Sequence, residues 1–295
     1  MAITASMVKE LRDRTGAGMM ECKNALTEAD GDMDAAIEAL RKKGAAKADK
    51  KAGRIAAEGV VLSALGGDGA TGVLVEVNCE TDFVAKDDNF QAFARAVAAT
   101  VLEAQPADVE ALSGLKLSGG GQTVEEARVD LINKIGEKIS VRRFQILDAP
   151  DGARIGAYTH GTRIGVLVAV EGGRDDLGKD LAMHIAASQP QFIEPDEVPQ
   201  ETLDAEKEIF AAQARESGKP DNIVEKMVQG RLQKYLNEIT LLGQPYVKDP
   251  DQTVAKLLKA EQARVLAFHR LEVGQGIEKR EDDFVSEVMA QAQGE

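Results

Sequence analysis

The 295-residue sequence has no tryptophan, only two cysteines and three histidines, and fewer positive than negative charges. Each shortage excludes something. Cys22 and Cys79 cannot build a disulfide scaffold, and without C-x-x-C spacing they read as free thiols in a reducing, cytoplasmic setting. His160, His184 and His269 lie far apart, so a zinc centre rich in His and Cys is not expected, and no metal or cofactor is assigned. No window approaches 18 consecutive apolar residues, so neither a membrane span nor a membrane partner is expected. The opening residues turn polar by Lys9, without the apolar stretch of a secretory signal. Lys and Arg number 36 against 50 Asp and Glu, a net charge of −14. Such a surface repels phosphate backbones, so direct nucleic-acid binding is not expected. Gly-x-Ser-x-Gly and His-Glu-x-x-His are both missing.

What remains is an ordinary globular composition, long enough for about two domains. Residues 1–55 read as three short helices. The first covers about residues 5–15, with Val8 and Leu11 on one side, and Gly16 and Gly18 break it. The second covers about 19–29, and Gly31 follows. The third starts with Asp32 and Asp34, which suit a helix N-terminus, and is expected to stop after Arg41-Lys42-Lys43 at Gly44. Residues 44–54, with Lys47, Lys50, Lys51 and Arg54, read as a solvated linker or helix extension, with a local anionic contact as the other reading.

From residue 56 to 275 the sequence is duplicated. Gly72-Val73-Leu74-Val75 recurs as Gly165-Val166-Leu167-Val168. Each follows an earlier strand-like run, 60–65 and then 155–159. Each precedes a helix, around 93–99 and 181–187. A second helix and a final β-rich run close each half, 124–136 with 139–147 and 253–260 with 265–273. The common order β-β-α-α-β predicts an α+β fold, with antiparallel sheets and helices on one face of each. The copies are 56–148 and 149–275. They differ in that Gly72 to Val97 spans 25 residues and Gly165 to Ile185 spans 20, so about five extra residues fall within 78–88. The second copy has its own insertion at 196–243. Its helices, 200–216 and 222–239, flank a turn at 217–220. Val224, Val228, Leu232, Tyr235 and Ile239 form an amphipathic stripe. Such a helical hairpin can pack on itself or dock on a second copy or a partner. Residues 276–295 follow a Gly274/Gly276 hinge, with Phe284, Val285, Val288 and Met289 on one face of a C-terminal helix.

Two glycine-rich runs imitate nucleotide loops. Residues 67–72 fit G-x-G-x-x-G but lead into a strand, which suits a hairpin turn. Residues 173–180 fit G-x-x-x-x-G-K, but Asp180 replaces the Ser/Thr that would hold Mg²⁺, and Asp175 and Asp176 bring negative charge to the phosphate position. An NTP-using enzyme built on Lys179 is therefore the weak alternative, and an adaptor acting through residues 1–55 alone is another. His184 and His269 read as packed residues, and His160, before Gly161, sits at a hairpin tip free to touch a partner. Thr81-Asp82-Phe83-Val84 lies in the extra segment. On residue types alone it reads as a helix start capped by Thr81 or Asp82, with Phe83 packed inward. The other reading is functional: a carboxylate beside an apolar wedge suits disturbing another protein's metal–phosphate site.

The motifs carry a family resemblance. Residues 14–23 (RTGAGMMECK), 76–85 (EVNCETDFVA), His160-Gly161 with 163–168 (RIGVLV), 182–187 (AMHIAA) and Gly243-Gln244-Pro245 together resemble the bacterial translation elongation factor Ts family across essentially the whole chain. The resemblance implies a protein that is not an enzyme but a guanine-nucleotide exchange factor for elongation factor Tu, promoting GDP release. It implies an N-terminal module like the ubiquitin-associated (UBA) fold, docking on the GTPase domain, with Met19 and Met20 on its docking surface unless one of them is core. It implies that Thr81, Asp82, Phe83 and Val84 enter near the partner's Mg²⁺. His160 and Gly161 would touch the far end of the partner, the 196–243 hairpin would make a homodimer, and the C-terminal helix would return to the GTPase domain.

Overall fold

The computed structural model describes residues 3–216 and 220–278. The chain opens with α1 (Ala5–Thr15), α2 (Met19–Glu28) and α3 (Met33–Lys51). Thr4 caps α1 by accepting from Met7 N, and Gly16 ends it at φ 68°, a left-handed conformation that costs glycine little. Asp32 caps α3 through the amides of Asp34 and Ala35. Val8, Leu11, Cys22, Ala25, Leu26 and Ala36 form a small core of their own.

The expected stop at Gly44 is wrong. α3 runs through it to Lys51. Gly44 is buried against a later helix, and a Cβ there would lie 2.3 Å from Asn133 Nδ2. A mid-helix glycine costs about 1 kcal/mol relative to alanine. Here it permits a close helix–helix approach, and the alanines at 45, 46 and 48 continue the helix. The basic run 44–54 is thus mostly helix extension. Lys47 pairs with Glu21, and Arg54 with Glu80.

The first copy comprises, in chain order, β1 (Glu58–Leu65), β2 (Thr71–Cys79), α4 (Asp82–Ala85), α5 (Asp88–Ala104), α6 (Val109–Ser113), α7 (Val124–Ile135) and β3 (Ser140–Asp148). The second has β4 (Ala153–His160), β5 (Ile164–Glu171), α8 (Leu177–Ser188), α9 (Gln200–Arg215), α10 (Asp221–Ile239), β6 (Pro245–Tyr246), β7 (Asp249–Thr253), α11 (Val254–Ala260) and β8 (Arg264–Glu272). Two three-stranded antiparallel sheets result, ordered β1-β2-β3 and β4-β5-β8. The duplication extends to register. Val75 faces Phe144 and Val168 faces Phe268, and each sheet carries a bulge just beyond, after Glu76 and after Ala169.

Alternation along the strands sets the layers. Val60, Val73, Val75 and Val77 face Phe90, Phe93 and Val97 of α5. Val166, Val168 and Val170 face Leu177, Leu181 and Ile185 of α8. The opposite faces meet each other: Val61, Leu74 and Leu147 pack with Ile155, Leu167 and Leu271. Helices therefore lie outside and the sheets stack back to back. The repeated glycine makes this stacking possible, since a Cβ on Gly165 would lie 2.6 Å from Val61 Cγ1 and 2.9 Å from Leu74 Cδ2.

The inserted hairpin packs on itself. Ala214, Val224 and Val228 form its centre, and Phe210 meets Tyr235 edge-on. Of the predicted stripe, Val224, Val228 and Ile239 are buried, and Leu232 and Tyr235 are half-buried. The predicted turn residues 217–219 and the predicted C-terminal helix, with Phe284, Val285, Val288 and Met289, lie outside the described residues. Among those described, no helix is long and apolar enough to cross a membrane.

Candidate functional site

The extra residues of the first copy form the single helical turn α4, set between β2 and α5. Thr81 caps it, accepting from Val84 N at 3.3 Å. The turn is tied down from outside by Glu137. One carboxylate oxygen accepts from Glu80 N and Thr81 N at 3.1 and 3.0 Å, and the other accepts the Thr81 hydroxyl at 2.7 Å. The Glu80 carboxylate in turn accepts from Lys138 N at 2.5 Å and from Arg54. Three sequence-distant residues, Glu137, Lys138 and Arg54, thus hold two residues that precede the turn. Glu137 carries no signal in the 78–88 segment. It follows Gly136 at the end of α7, and only the fold brings it here.

Within the turn the side chains divide. Val84 and Ala85 enter the core of the first copy. Phe83 points the other way and is 81% exposed. The inward-packed reading of Phe83 is therefore overturned, although Thr81 does cap. Leaving the ring in water forgoes roughly 2 kcal/mol of burial. Asp82 is also exposed and accepts from Lys86 Nζ at 2.7 Å. That bond holds the Asp82 carboxyl below its ordinary range, so it is an anion at neutral pH. The result is an apolar ring and a carboxylate, side by side, on a clamped turn.

Cys79 closes β2 just before the turn and donates to Thr81 O at 3.1 Å. Burial and the nearby Glu137 and Glu58 carboxylates push its thiol up to about 12. It is a packed sulfur, not a nucleophile. Cys22 is likewise buried and free.

The His160–Gly161 tip joins β4 to β5, with Gly161 at φ 58°. His160 is exposed, its Nδ1 3.1 Å from Tyr158 Oη. The backbone beside it is anchored on the first copy. Thr162 O accepts from Val61 N at 2.7 Å, and Arg163 Nη1 donates to Glu58 Oε2 at 2.7 Å. Glu58 is paired across the sheet with Cys79, so the tip and the Phe83 turn sit at the same end of the molecule.

Met19 and Met20 are 58% and 65% exposed at the start of α2, so neither is core. With Ile3, Val8, Lys9 and Lys23 they line an open groove of about 600 Å³ on the three-helix module. The groove belongs to α1 and α2 and is separate from the turn.

The imitation nucleotide loops resolve as structure. Residues 66–70 are the β1–β2 hairpin turn. At the start of the 173–180 run the carbonyls of Gly173 and Arg174, and that of Gly172 just before them, accept from Arg154 Nη2. A phosphate loop must instead turn its N–H groups inward. Asp180 is taken by Arg174 and by Lys248. His184 is fully buried. Val247 N donates to its Nδ1 at 3.1 Å, which leaves Nε2 to donate to Gln244 Oε1 at 2.9 Å. Burial lowers its pKa and keeps it neutral. Among the described residues no group of His, Cys, Asp and Glu is arranged to hold a metal.

Comparison with known proteins points one way. Residues 80–275 match the family model described as Elongation factor TS. The whole chain is 63% identical to "Elongation factor Ts" of Thioalkalivibrio sulfidiphilus over 294 residues, covering 100% of both chains. It is 58% identical to the protein of that name from Alkalilimnicola ehrlichii, again over 100% of both. It is 60% identical to that of Methylococcus capsulatus over 291 residues, 99% of each.

Proposed function

Because this chain belongs to the elongation factor Ts family, and so to the translation elongation factors, we propose that it is the guanine-nucleotide exchange factor for elongation factor Tu. The observation that carries this reading is the exposed Phe83 beside an anionic Asp82 on a turn held by Glu137. Bound GDP is retained by phosphate contacts and Mg²⁺. An apolar ring that separates the elements around the metal, with a carboxylate competing for the cation, removes counter-charge from the diphosphate. Coupling is reciprocal: whatever factor the protein takes from nucleotide affinity, nucleotide takes from the protein's affinity. Each tenfold step in that exchange corresponds to about 1.4 kcal/mol. Effective exchange therefore needs a broad grip on the nucleotide-free GTPase, and incoming nucleotide then expels the factor.

The grip, in this reading, comes from several surfaces. The Met19–Met20 groove of the UBA-like module docks on the GTPase domain, and His160 with Gly161 reaches a second region of the partner. Thr81 and Val84 serve by fixing the turn. The 196–243 hairpin is a candidate homodimer contact, and residues 276–295 a further contact with the GTPase domain. The protein works in the cytoplasm, needs no cofactor, and catalyses no covalent step. The rival based on Lys179 has against it the Arg154-filled loop.

The test is release of fluorescent GDP from elongation factor Tu in Mg²⁺, with wild type and Phe83→Ala. Strong acceleration, blunted by the substitution at saturating protein, is expected. No acceleration by wild type with a partner from the same source would remove the exchange reading and leave the adaptor reading, in which residues 1–55 suffice.

A further inference from the structure

A second charged cluster lies three residues before Cys79 on the strand that leads to the turn. Glu76 is fully buried. Its Oε1 accepts from Gly274 N at 2.8 Å, Arg142 Nη1 at 3.0 Å and Asn78 Nδ2 at 3.1 Å. Its Oε2 accepts from Arg143 Nε at 2.6 Å. Both arginines reach on to the end of the second copy's last strand: Arg142 Nη2 donates to Gln275 O at 2.6 Å and Arg143 Nη2 to Glu272 O at 3.1 Å. Gly274 is held at φ 72°, and a Cβ there would lie 2.3 Å from Ala57 O. One carboxylate thus fastens the first sheet to the chain as it leaves β8.

The bulge alone does not require this chemistry. Arg142 is the unpaired residue of the first sheet's bulge, with Glu76 and Arg143 facing each other beside it. At the matching places of the second sheet stand Leu266, Ala169 and Ala267. The same bulge therefore closes with an apolar set. Buried ion pairs lose in desolvation much of what they gain in attraction, and apolar replacements are often neutral or better for stability. The ionic set differs from its counterpart in what it touches: the exit of β8, which belongs to the sheet carrying the His160 tip.

We propose that Glu76, with Arg142 and Arg143, is a positioning centre that locks the turn-bearing strand β2 to the second copy. Its functional consequence rests on the exchange reading. Binding energy gathered by the second copy can act at Phe83 only if the two copies do not yield against each other. A joint that gives lets the partner push the ring aside while the grip stays intact. Fully buried, Glu76 is a positioning residue that acts through the turn.

The decisive variant copies the second sheet: Glu76→Ala, Arg142→Leu and Arg143→Ala together, in the full chain. It is expected to unfold in one cooperative transition. Its affinity for nucleotide-free elongation factor Tu should be retained, while the GDP release rate at saturation falls about tenfold, the scale of a small misplacement of a working group. Amide hydrogen exchange at Gly274, Glu80 and Thr81 should rise together. A folded triple variant that releases GDP at the wild-type rate, or that loses affinity and rate by the same factor, overturns the proposal. If the triple variant does not fold, Glu76→Gln decides, being isosteric but uncharged: a smaller fall in rate at retained affinity supports the joint, and an unchanged rate overturns it. If wild type itself does not accelerate release, the exchange reading has failed and the joint is judged on amide exchange alone. Unchanged protection at Glu80 and Thr81 then overturns it.

Discussion

The two copies share an element order, a layer arrangement, a strand glycine and a bulge, yet they have spent their freedom differently. The first carries α4 between strand and helix, and its bulge is ionic. The second replaces α4 with a shorter Gly172–Gly173 connection, grows the α9–α10 hairpin, and keeps its bulge apolar. The strand valines Val73 and Val75 recur as Val166 and Val168, because valines packed on both sides tolerate little change in volume. The additions appear where a chain can leave the core without unpairing a strand. On the exchange reading, a duplicated scaffold decorated asymmetrically separates what folds from what acts.

The sharpest way to break that separation is inside α4. Phe83→Ala should lower GDP release at saturation by about ten- to hundredfold, the range of ordinary coupling energies, with stability changed by less than about 0.5 kcal/mol because the ring is exposed. Val84→Ala, one residue on, should do the reverse, costing about 1–2 kcal/mol of stability through lost burial. Equal effects of the two on both readouts would mean that the turn is not divided into a working and an anchoring side.

The shared glycines sharpen the comparison from the folding side. Gly165→Ala should destabilise by about 2 kcal/mol, since the new methyl meets Val61 and Leu74 in the closed space between the sheets. Gly72→Ala should cost less, about 1 kcal/mol, because its neighbours Leu65, Ile155 and Leu167 stand at 3.0–3.1 Å and are side-chain ends. Denaturant melts of the two variants measure this, and equal losses would show the interface to be symmetric.

Glu137→Gln tests whether the clamp matters as well as the ring. It keeps the shape but weakens three charge-assisted hydrogen bonds, so exchange should fall by a few fold, about 1 kcal/mol. A fall as large as that of Phe83→Ala would place Glu137 at the partner instead.

The smallest effect is an acid one, and it should be confined to the second copy. All three histidines lie there. His184 and His269 are both held below the ordinary 6.5 by burial. Above that value both states are neutral and stability is complete. As pH falls below it the unfolded chain takes up protons first, so stability is lost down through the lower folded values. Thermal melts between pH 7 and 5 should show the loss, partly removed in His184→Gln, with amide exchange rising around α8 before α5. Equal loosening of both copies would contradict this origin.

Much of this was legible in the sequence, for physical reasons that differ by element. Gly-Val-Leu-Val runs betray strands buried on both faces, and repeating them betrays the duplication. The roughly five extra residues of the first copy are visible by counting, and α4 falls within the segment that holds them. Other features depend on contacts that no local pattern carries. Gly44 looks like a helix stop until Asn133 of α7 is placed against it. Phe83 looks like an inward residue because composition cannot say which side of one helical turn faces the core. Glu76 passes for an ordinary polar interruption of a strand, and Glu137 for a loop residue after a helix. For Gly44, Glu76 and Glu137 the missing information was a partner tens of residues away.

The burial of Cys79 has a consequence for redox chemistry. Its sulfur stands two residues before Thr81, where any adduct would push directly on the turn. With its pKa near 12 and no surface exposed, almost no thiolate is offered to an oxidant at neutral pH. The turn is thereby insulated from oxidative modification at its nearest sulfur. A cysteine introduced at residue 83 or 160 would face reagents against two buried native thiols, and a probe there could follow the turn and the tip in the native chain.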